Sequence, residues 1–293
     1  MKVIENYIEH LRNGKSPQIR DINTQGGILL PASMASAIRA NMAEWPLQGL
    51  ADRETVSHLK TEIPYLIGDV SVGWMDEGND YADAGMEIGG FTAKLHKVGA
   101  VIKVSEELIN DSFFNLENFI AEAFGRALGK EYEDVCINGG GVGKPTGFLM
   151  GCQKKTVTGA WSLGDLYEMY NALELEYRNN ASWILSKNML NALIRETTAL
   201  KDFVFILKEK IKDNRCGDPV GFMLGNPCYV SLLPDENPIA FGDFSYYKII
   251  EQLPVIQRLS EKYSKDGIVG FIMRNFIDAR LLKSDAVIAL EVN

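Results

Sequence analysis

The residues with the clearest chemical potential form a glycine-rich run that ends in a lysine, NGGGVGKP at positions 138–145. A Gly-Lys pair after several glycines is typical of the loop that cradles nucleotide phosphates. That loop needs a glycine where this chain has Asn138, and a serine or threonine where it has Pro145. It also joins a strand to a following helix, whereas a helical pattern precedes this run. The run therefore indicates a turn and not a nucleotide-binding site.

No other set of residues has the spacing of a catalytic or metal site. The carboxylates of Glu106 and Glu107, like those of Glu133 and Asp134, are adjacent in predicted helices, and adjacent residues on a helix do not face each other. The chain has three histidines and four cysteines without a CxxC, HExxH or GxSxG pattern. We therefore expect a protein that is not an enzyme and that holds no cofactor and no metal.

The composition narrows the class of protein further. Hydrophobic residues make up 46% of the 293 residues, which is ample for a core, and the net charge is −9. That charge argues against a broad basic face that grips nucleic acid. No apolar run approaches the roughly 20 residues of a membrane-spanning helix, and the first residues lack the apolar stretch of a signal peptide. We expect a protein of the cytoplasm without a membrane partner.

The strongest helical pattern lies directly before the glycine-rich run. Asn115 is a suitable N-cap, and the glycines after Asn138 end the helix. Apolar residues recur between these limits at intervals of three and four, which defines one buried stripe. The stripe comprises Leu116, Phe119, Ile120, Ala123, Phe124, Ala127 and Leu128. Glu133 is among the charged residues predicted to lie off it.

Strands are predicted on both sides of this helix in the sequence. Residues 94–104 precede it, and residues 249–259, 268–277 and 286–292 end the chain. We expect the last three strands to form an antiparallel sheet that packs on the apolar stripe.

An acidic segment separates Lys60 from Lys94. It contains no basic residue and is interrupted by glycines, which indicates a long hairpin without a core of its own. Its seven acidic residues are Glu62, Asp69, Asp76, Glu77, Asp80, Asp83 and Glu87. The hairpin is either solvated or lies across a neighbouring subunit and pairs with basic groups there. A basic segment at 201–215 is either a solvated loop or one acceptor for this hairpin.

Several short motifs with matching order and spacing resemble one family. They include Val104-Ser105, Glu107-Leu108 and Asp111-Ser112 before the helix, and the sequence PTGFL at 145–149 after it. The sequence IAFGDF at 239–244 is a second signal. Together they resemble the major capsid protein of tailed bacteriophages, which has the HK97-type fold.

The resemblance implies an α+β fold with a defined order of parts. Residues 1–25 would be an N-terminal arm, residues 26–53 would lead into a peripheral domain, and residues 54–93 would be the E-loop hairpin. Residues 94–146 would be the peripheral domain with its long spine helix. Residues 147–240 would form the axial domain, and residues 241–293 would return as strands to the peripheral domain.

The resemblance also implies a function. The chain would self-assemble as hexamers and pentamers into an icosahedral phage head that encloses packaged double-stranded DNA, which it would contact weakly and without sequence specificity. Portal and scaffolding proteins would be partners, and assembly would take place in the cytoplasm of the host bacterium. If Met1 is the translated start, scaffolding would come from a separate protein or be dispensed with. If Met1 was added in cloning, a leader has been removed.

Charged residues of the hairpin and of the basic segment are candidate contacts between subunits, together with one tryptophan. They are Trp74, Asp76, Glu77, Asp80, Asp83, Lys208, Lys210 and Lys212. Some family members cross-link neighbouring subunits through a lysine in the E-loop and an asparagine near the C-terminal part. Residues 82–90 contain no lysine and residues 256–274 no asparagine, so we expect no cross-linking.

Two alternatives stay open at this point. An encapsulin-type nanocompartment uses the same fold to enclose a cargo enzyme. The second alternative is a cytoplasmic enzyme of unknown chemistry, whose acidic hairpin would have to fold onto its own body.

Overall fold

The computed structural model describes residues 28–29, 38–42, 45–58, 60–66, 74, 88–111, 116–200, 205–207, 217–259 and 262–292. The N-terminal arm expected at 1–25 lies outside these ranges. Seven helices have defined bounds: α1 Pro46–Leu50, α2 Glu106–Asp111, α3 Leu116–Asn138, α4 Phe148–Gly151, α5 Leu163–Ala172, α6 Leu175–Arg178 and α7 Lys187–Leu200. Residues 38–42 are also helical.

A six-stranded sheet is built around one long strand. It comprises β1 Ile28–Leu29, β2 Asp52–Thr55, β5 His96–Ser105, β12 Tyr247–Glu251, β13 Val255–Leu259 and β14 Ile268–Leu281. β13 and β12 pair in turn with the two halves of β14 along one edge, and β5 pairs along its other edge. β2 extends the sheet in parallel to β12, and β1 pairs with β13. The fourteen residues of β14 thus hold together elements from both ends of the sequence.

A second sheet has seven strands. They are β6 Gln153–Val157, β7 Ser182–Leu185, β8 Phe205–Leu207, β9 Gly221–Met223, β10 Asn226–Val230, β11 Ile239–Gly242 and β15 Val287–Val292. Their order across the sheet is β6, β15, β11, β7, β10, β9, β8. All four residues of β7 and of β11 are buried, as expected for central strands with both faces covered.

Two expectations for the last strands are wrong. Residues 249–259 form two strands, because Pro254 lies between β12 and β13 and has no N–H for a ladder. The final strand, β15, does not join β12, β13 and β14 in the six-stranded sheet. It pairs with β11 and β6 in the seven-stranded sheet. Its first four residues are buried in that sheet.

The helix α3 forms as predicted from 116 to 138, but the predicted stripe is only partly right. Ile120, Phe124 and Leu128 are buried, whereas the Phe119 side chain is 55% exposed and Ala127 is also exposed. The buried face continues instead through Ala121, Gly125, Gly129, Tyr132, Glu133 and Cys136.

Two glycines explain this rotation of the buried face. A Cβ on Gly125 would lie 2.8 Å from the carbonyl oxygen of Ile38, and one on Gly129 would lie 3.1 Å from the Cα of Met42. The helical residues 38–42 therefore cross α3 directly over the glycines, at a distance that a side chain would prevent. Hydrophobic periodicity gives no weight to glycine, so it found only part of the buried face.

A third, two-stranded sheet pairs β3 Lys60–Leu66 with β4 Ile88–Lys94. This is the base of the predicted E-loop hairpin. Its core is small: Ile63, Phe91 and Ala93 pack on Ile250 of the six-stranded sheet in a cluster separate from the main core. The main core is one continuous cluster that spans both large sheets and α3.

Candidate functional site

The glycine-rich run closes a tight turn against the sheet. The backbone N–H of Gly147 donates to the carbonyl of Gly139 at 2.8 Å, and a Cβ on either glycine would overlap backbone atoms. The Thr146 N–H donates to the carbonyl of Ala279 at 3.1 Å, and the Tyr247 hydroxyl donates to the carbonyl of Thr146 at 2.8 Å. The run thus fastens the C-terminal end of α3 to β14 and β12.

The second motif, at 239–244, has a similar structural role. A Cβ on Gly242 would overlap the carbonyl oxygen of Ala286, so only glycine fits there. The buried carboxylate of Asp243 accepts a hydrogen bond from the Ser245 N–H at 2.9 Å, which begins a short 3₁₀ helix. Phe244 then packs edge-to-face on Phe148, with ring centroids 5.3 Å apart. The two family motifs therefore meet in one core.

The E-loop hairpin is attached to the body by a few contacts at its base. The N–H of Lys94 donates to the carboxylate of Asp278 at 2.8 Å, and the guanidinium of Arg280 lies 5.6 Å from the ring centroid of Phe91. Burial raises the pKa of Asp278 above its usual value. These contacts join the hairpin base to β14, in addition to its packing on Ile250 of β12.

The predicted contact residues are not brought together by the described part of the structure. Trp74 is described and fully exposed. The other hairpin candidates, Asp76, Glu77, Asp80 and Asp83, lie outside the described residues. The basic candidates, Lys208, Lys210 and Lys212, also lie outside them. These basic residues follow directly on β8, the edge strand of the seven-stranded sheet.

The face of the six-stranded sheet away from α3 carries a mixture of basic and apolar side chains. Pairing of β5 with β14 sets Lys97 opposite Phe276 and Val101 opposite Ile272. Val101 is 44% exposed, and Lys97 is exposed. Arg274 shares this face and donates to Gln257 at 3.0 Å. We call this surface, formed by Lys97, Val101, Lys103, Ile272, Arg274 and Phe276, the open sheet face.

Two buried acidic residues were not predicted. The Glu251 carboxylate, fully buried, accepts from Arg39 at 2.8 Å and from Arg53 at 2.7 Å, which ties residues 38–42 to β2 and β12. Glu133 of α3 is also fully buried, contrary to the prediction that it lies off the stripe. Its spacing of four and eight residues from Gly129 and Gly125 was the available signal.

The environments of Cys136 and Cys152 do not favour thiol chemistry. Burial raises the pKa of Cys136 to about 12 and that of Cys152 to about 11, so both thiols stay protonated at neutral pH. Among the residues that the structure describes, no group of three His, Cys, Asp or Glu side chains could hold a metal ion. In the same ranges, no helix has both the length and the apolar character needed to cross a membrane.

Comparison with known proteins identifies the family. The family model described as the phage capsid family matches residues 26–292. This chain belongs to the phage capsid family. No curated protein matches it. Membership makes it a structural protein of a capsid shell and a virion component.

Several solved structures have the same fold as this capsid protein. The capsid chain of a native GTA particle matches with a TM-score of 0.63 at 22% identity, over 96% of this chain and 97% of that one. A chain of Microbacterium phage Oxtober96 matches with a TM-score of 0.60 at 13% identity, over 98% of both chains. A virus-like particle from Pyrococcus furiosus matches with a TM-score of 0.55 at 16% identity, over 88% and 98%. The predicted α+β fold of the HK97 type is confirmed.

Proposed function

We propose that this capsid protein assembles as hexamers and pentamers into an icosahedral phage head that encloses double-stranded DNA. The observation that carries the proposal is the hairpin base, whose two strands bury only a small cluster against their own subunit. A long ribbon of this kind needs a further surface to lie on. In a closed shell, a neighbouring subunit supplies that surface.

The open sheet face is the acceptor that we propose for the hairpin of a neighbour. The segment between Lys60 and Lys94 contains seven acidic residues and no basic one. The open sheet face offers Lys97, Lys103 and Arg274 beside the exposed Val101 and the half-buried Ile272 and Phe276. Opposite charges would orient the contact and apolar contact would hold it. The candidate pairing with Lys208, Lys210 and Lys212 stays a second proposal.

Other segments of the chain would also have roles in assembly. Residues 1–25 would be an arm that reaches adjacent subunits, and the seven-stranded sheet would be the centre of the axial domain. That domain would make the contacts around each ring, as heterologous interfaces require. Portal and scaffolding proteins would act in assembly within the host cytoplasm. The net charge of −9 suits a wall that contacts DNA weakly.

The test is the mass distribution of the purified chain by analytical ultracentrifugation, with negative-stain images of the heaviest fraction. We expect uniform closed shells, or rings that close when a scaffolding protein is added. Nucleic acid in particles from an infected or induced host separates a phage head from a nanocompartment, which would hold protein cargo. A monomer or dimer under all conditions, with no larger species, would contradict the proposal.

A further inference from the structure

Glu133 lies at a junction of three parts of the subunit. It belongs to α3, and its side chain is completely buried. One carboxylate oxygen accepts a hydrogen bond from the N–H of Leu47 in α1, at 3.1 Å. The same oxygen accepts from the hydroxyl of Ser231, which directly follows β10 in the seven-stranded sheet. A single oxygen of Glu133 thus connects α3 with α1 and with the end of β10 in the seven-stranded sheet.

Two oxygens at this junction have no donor among the described residues. The second carboxylate oxygen of Glu133 is buried without a hydrogen-bond partner, and so is the side-chain oxygen of Gln48. Gln48 reaches the same stretch of α3, since its amide nitrogen donates to the carbonyl of Gly129 at 2.9 Å. Buried oxygens without donors are rare and unfavourable. A proton on Glu133 would remove the negative charge from its buried side chain.

The groups around Glu133 are mostly neutral dipoles. The Ser231 hydroxyl and the N–H of Leu47 stabilise the carboxylate, but burial outweighs them and raises the pKa of Glu133 to about 7. The nearby titratable groups are Cys136 on α3 and Tyr247 on β12, whose pKa values are themselves raised, chiefly by burial.

Charged side chains lie on the solvent side of the junction. Lys130, Glu131 and Asp134 of α3 line an open cavity of about 600 Å³ together with Lys187 and Asp235 of the axial part. Ser231 lines the same cavity, so water can reach the junction if it loosens.

We propose that Glu133 is a proton-dependent latch between the spine helix, α1 and the axial sheet. With its proton, the side chain fills the junction as a neutral group and keeps it closed. Without the proton, an unpaired charge is left in the interior, and the junction opens toward the cavity so that water can solvate it. The latch lies within one chain, so it does not depend on the proposed shell function and fails or holds separately from it.

The direction of the pH dependence follows from the raised pKa. The closed state binds the proton more tightly than an open one, in which Glu133 has its ordinary value of 4.5. Stabilisation of the closed state is therefore complete below about pH 4.5, and it is lost as the pH rises toward 7. With these values, the opening constant rises roughly 30-fold between about pH 5.5 and 8.5 and stays constant above that range.

Hydrogen exchange of the unassembled full-length chain, read by mass spectrometry, tests the latch. Protection factors of peptides that cover 46–50 and 231–235 are compared at about pH 5.5 and 8.5, after correction for intrinsic exchange rates. We expect protection to fall roughly 30-fold in the wild type. Glu133→Gln should abolish this fall, because the neutral amide can make the same contacts at every pH. The matched control, Glu131→Gln, alters an exposed carboxylate of the same helix and should leave the fall unchanged.

An equal fall in wild type and Glu133→Gln would overturn the latch, and so would equal protection in the wild type at both pH values. If Glu133→Gln does not fold, difference infrared spectroscopy of the wild type provides the second measurement. A buried carboxylic acid band that disappears near pH 7 supports the proposal. Its absence, with all carboxyl groups titrating near pH 4.5, contradicts the proposal.

Discussion

The seven-stranded sheet and the E-loop hairpin show opposite ways of using β structure. In the sheet, Trp183 of β7 is fully buried and stacks on Phe241 of β11, with ring centroids 4.0 Å apart. In the described base of the hairpin, at 60–66 and 88–94, the buried cluster comprises Ile63, Phe91 and Ala93 with Ile250 from the body. Within the described residues, the sheet buries both faces of its central strands, whereas the hairpin base buries one small cluster. From this comparison we propose that folding depends mainly on the sheet and assembly on the hairpin.

The largest effect on folding should come from the centre of the sheet. Trp183→Ala removes the stacking on Phe241 and the hydrogen bond from the indole N–H to the carbonyl of Met223, which is 3.0 Å long. We expect the free energy of unfolding to fall by about 3–5 kcal/mol, as for other large buried aromatic residues. Urea unfolding measures it. Tyr167→Ala, at a half-exposed aromatic of α5, is the control and should change it by less than about 1 kcal/mol. Equal losses in both variants would contradict the assignment of stability to this sheet.

The close crossing over α3 should give the next largest effect. Gly125→Ala places a methyl group 2.8 Å from the carbonyl oxygen of Ile38, and the backbone of 38–42 must move away. We expect a loss of about 1–3 kcal/mol in the free energy of unfolding. Gly140→Ala, where a Cβ meets no atom within 4 Å, should stay within about 0.5 kcal/mol of the wild type. A neutral Gly125→Ala would show that the crossing is less tight than the structure has it.

Charge reversal in the hairpin should change assembly and leave folding almost unchanged. We expect Asp76→Lys, Glu77→Lys and Asp80→Lys together to alter the free energy of unfolding by less than about 0.5 kcal/mol. Particle yield in sedimentation should fall strongly, because like charges would then face the open sheet face of a neighbour. The control reverses Glu106, Glu107 and Glu131, which are exposed and change the net charge equally. Normal yield from the hairpin variant would refute the proposed contact.

We expect no covalent bond between the hairpin and a neighbouring subunit. Residues 82–90 have no lysine that could react. Mature particles on a denaturing gel should give a single band at the mass of the monomer. A ladder of multimers would show that another residue supplies the bond.

The sequence and the structure differ most along α3. Its length and its end at the glycine-rich run were predictable, because periodicity, a run of glycines and Pro145 are local signals. The face that it buries was not, since Gly125 and Gly129 define that face by the close approach of another segment. Phe119 looked like a core residue by pattern alone and is more than half exposed.

The candidate contacts divide along the same line. Composition alone marks the hairpin as acidic and as unable to form its own core, and the role of Trp74 as a contact residue stays a prediction. The open sheet face could not be predicted, because Lys97 and Arg274 are distant in sequence and become neighbours only through the pairing of β5 with β14. The register of β5 with β14 therefore brings the residues of this surface together.

The sequence by itself determined the family, the α+β class, the long helix and the acidic hairpin, because each depends on short-range patterns or on motif order. Only the tertiary structure decided that β15 joins the seven-stranded sheet and that Glu133 and Glu251 are buried. Burial of a charge depends on partners from distant segments, such as Ser231 for Glu133 and Arg39 for Glu251. Those partners meet only when the chain has folded. The spacing of Glu133 from Gly125 and Gly129 could therefore indicate the buried face but not the partners.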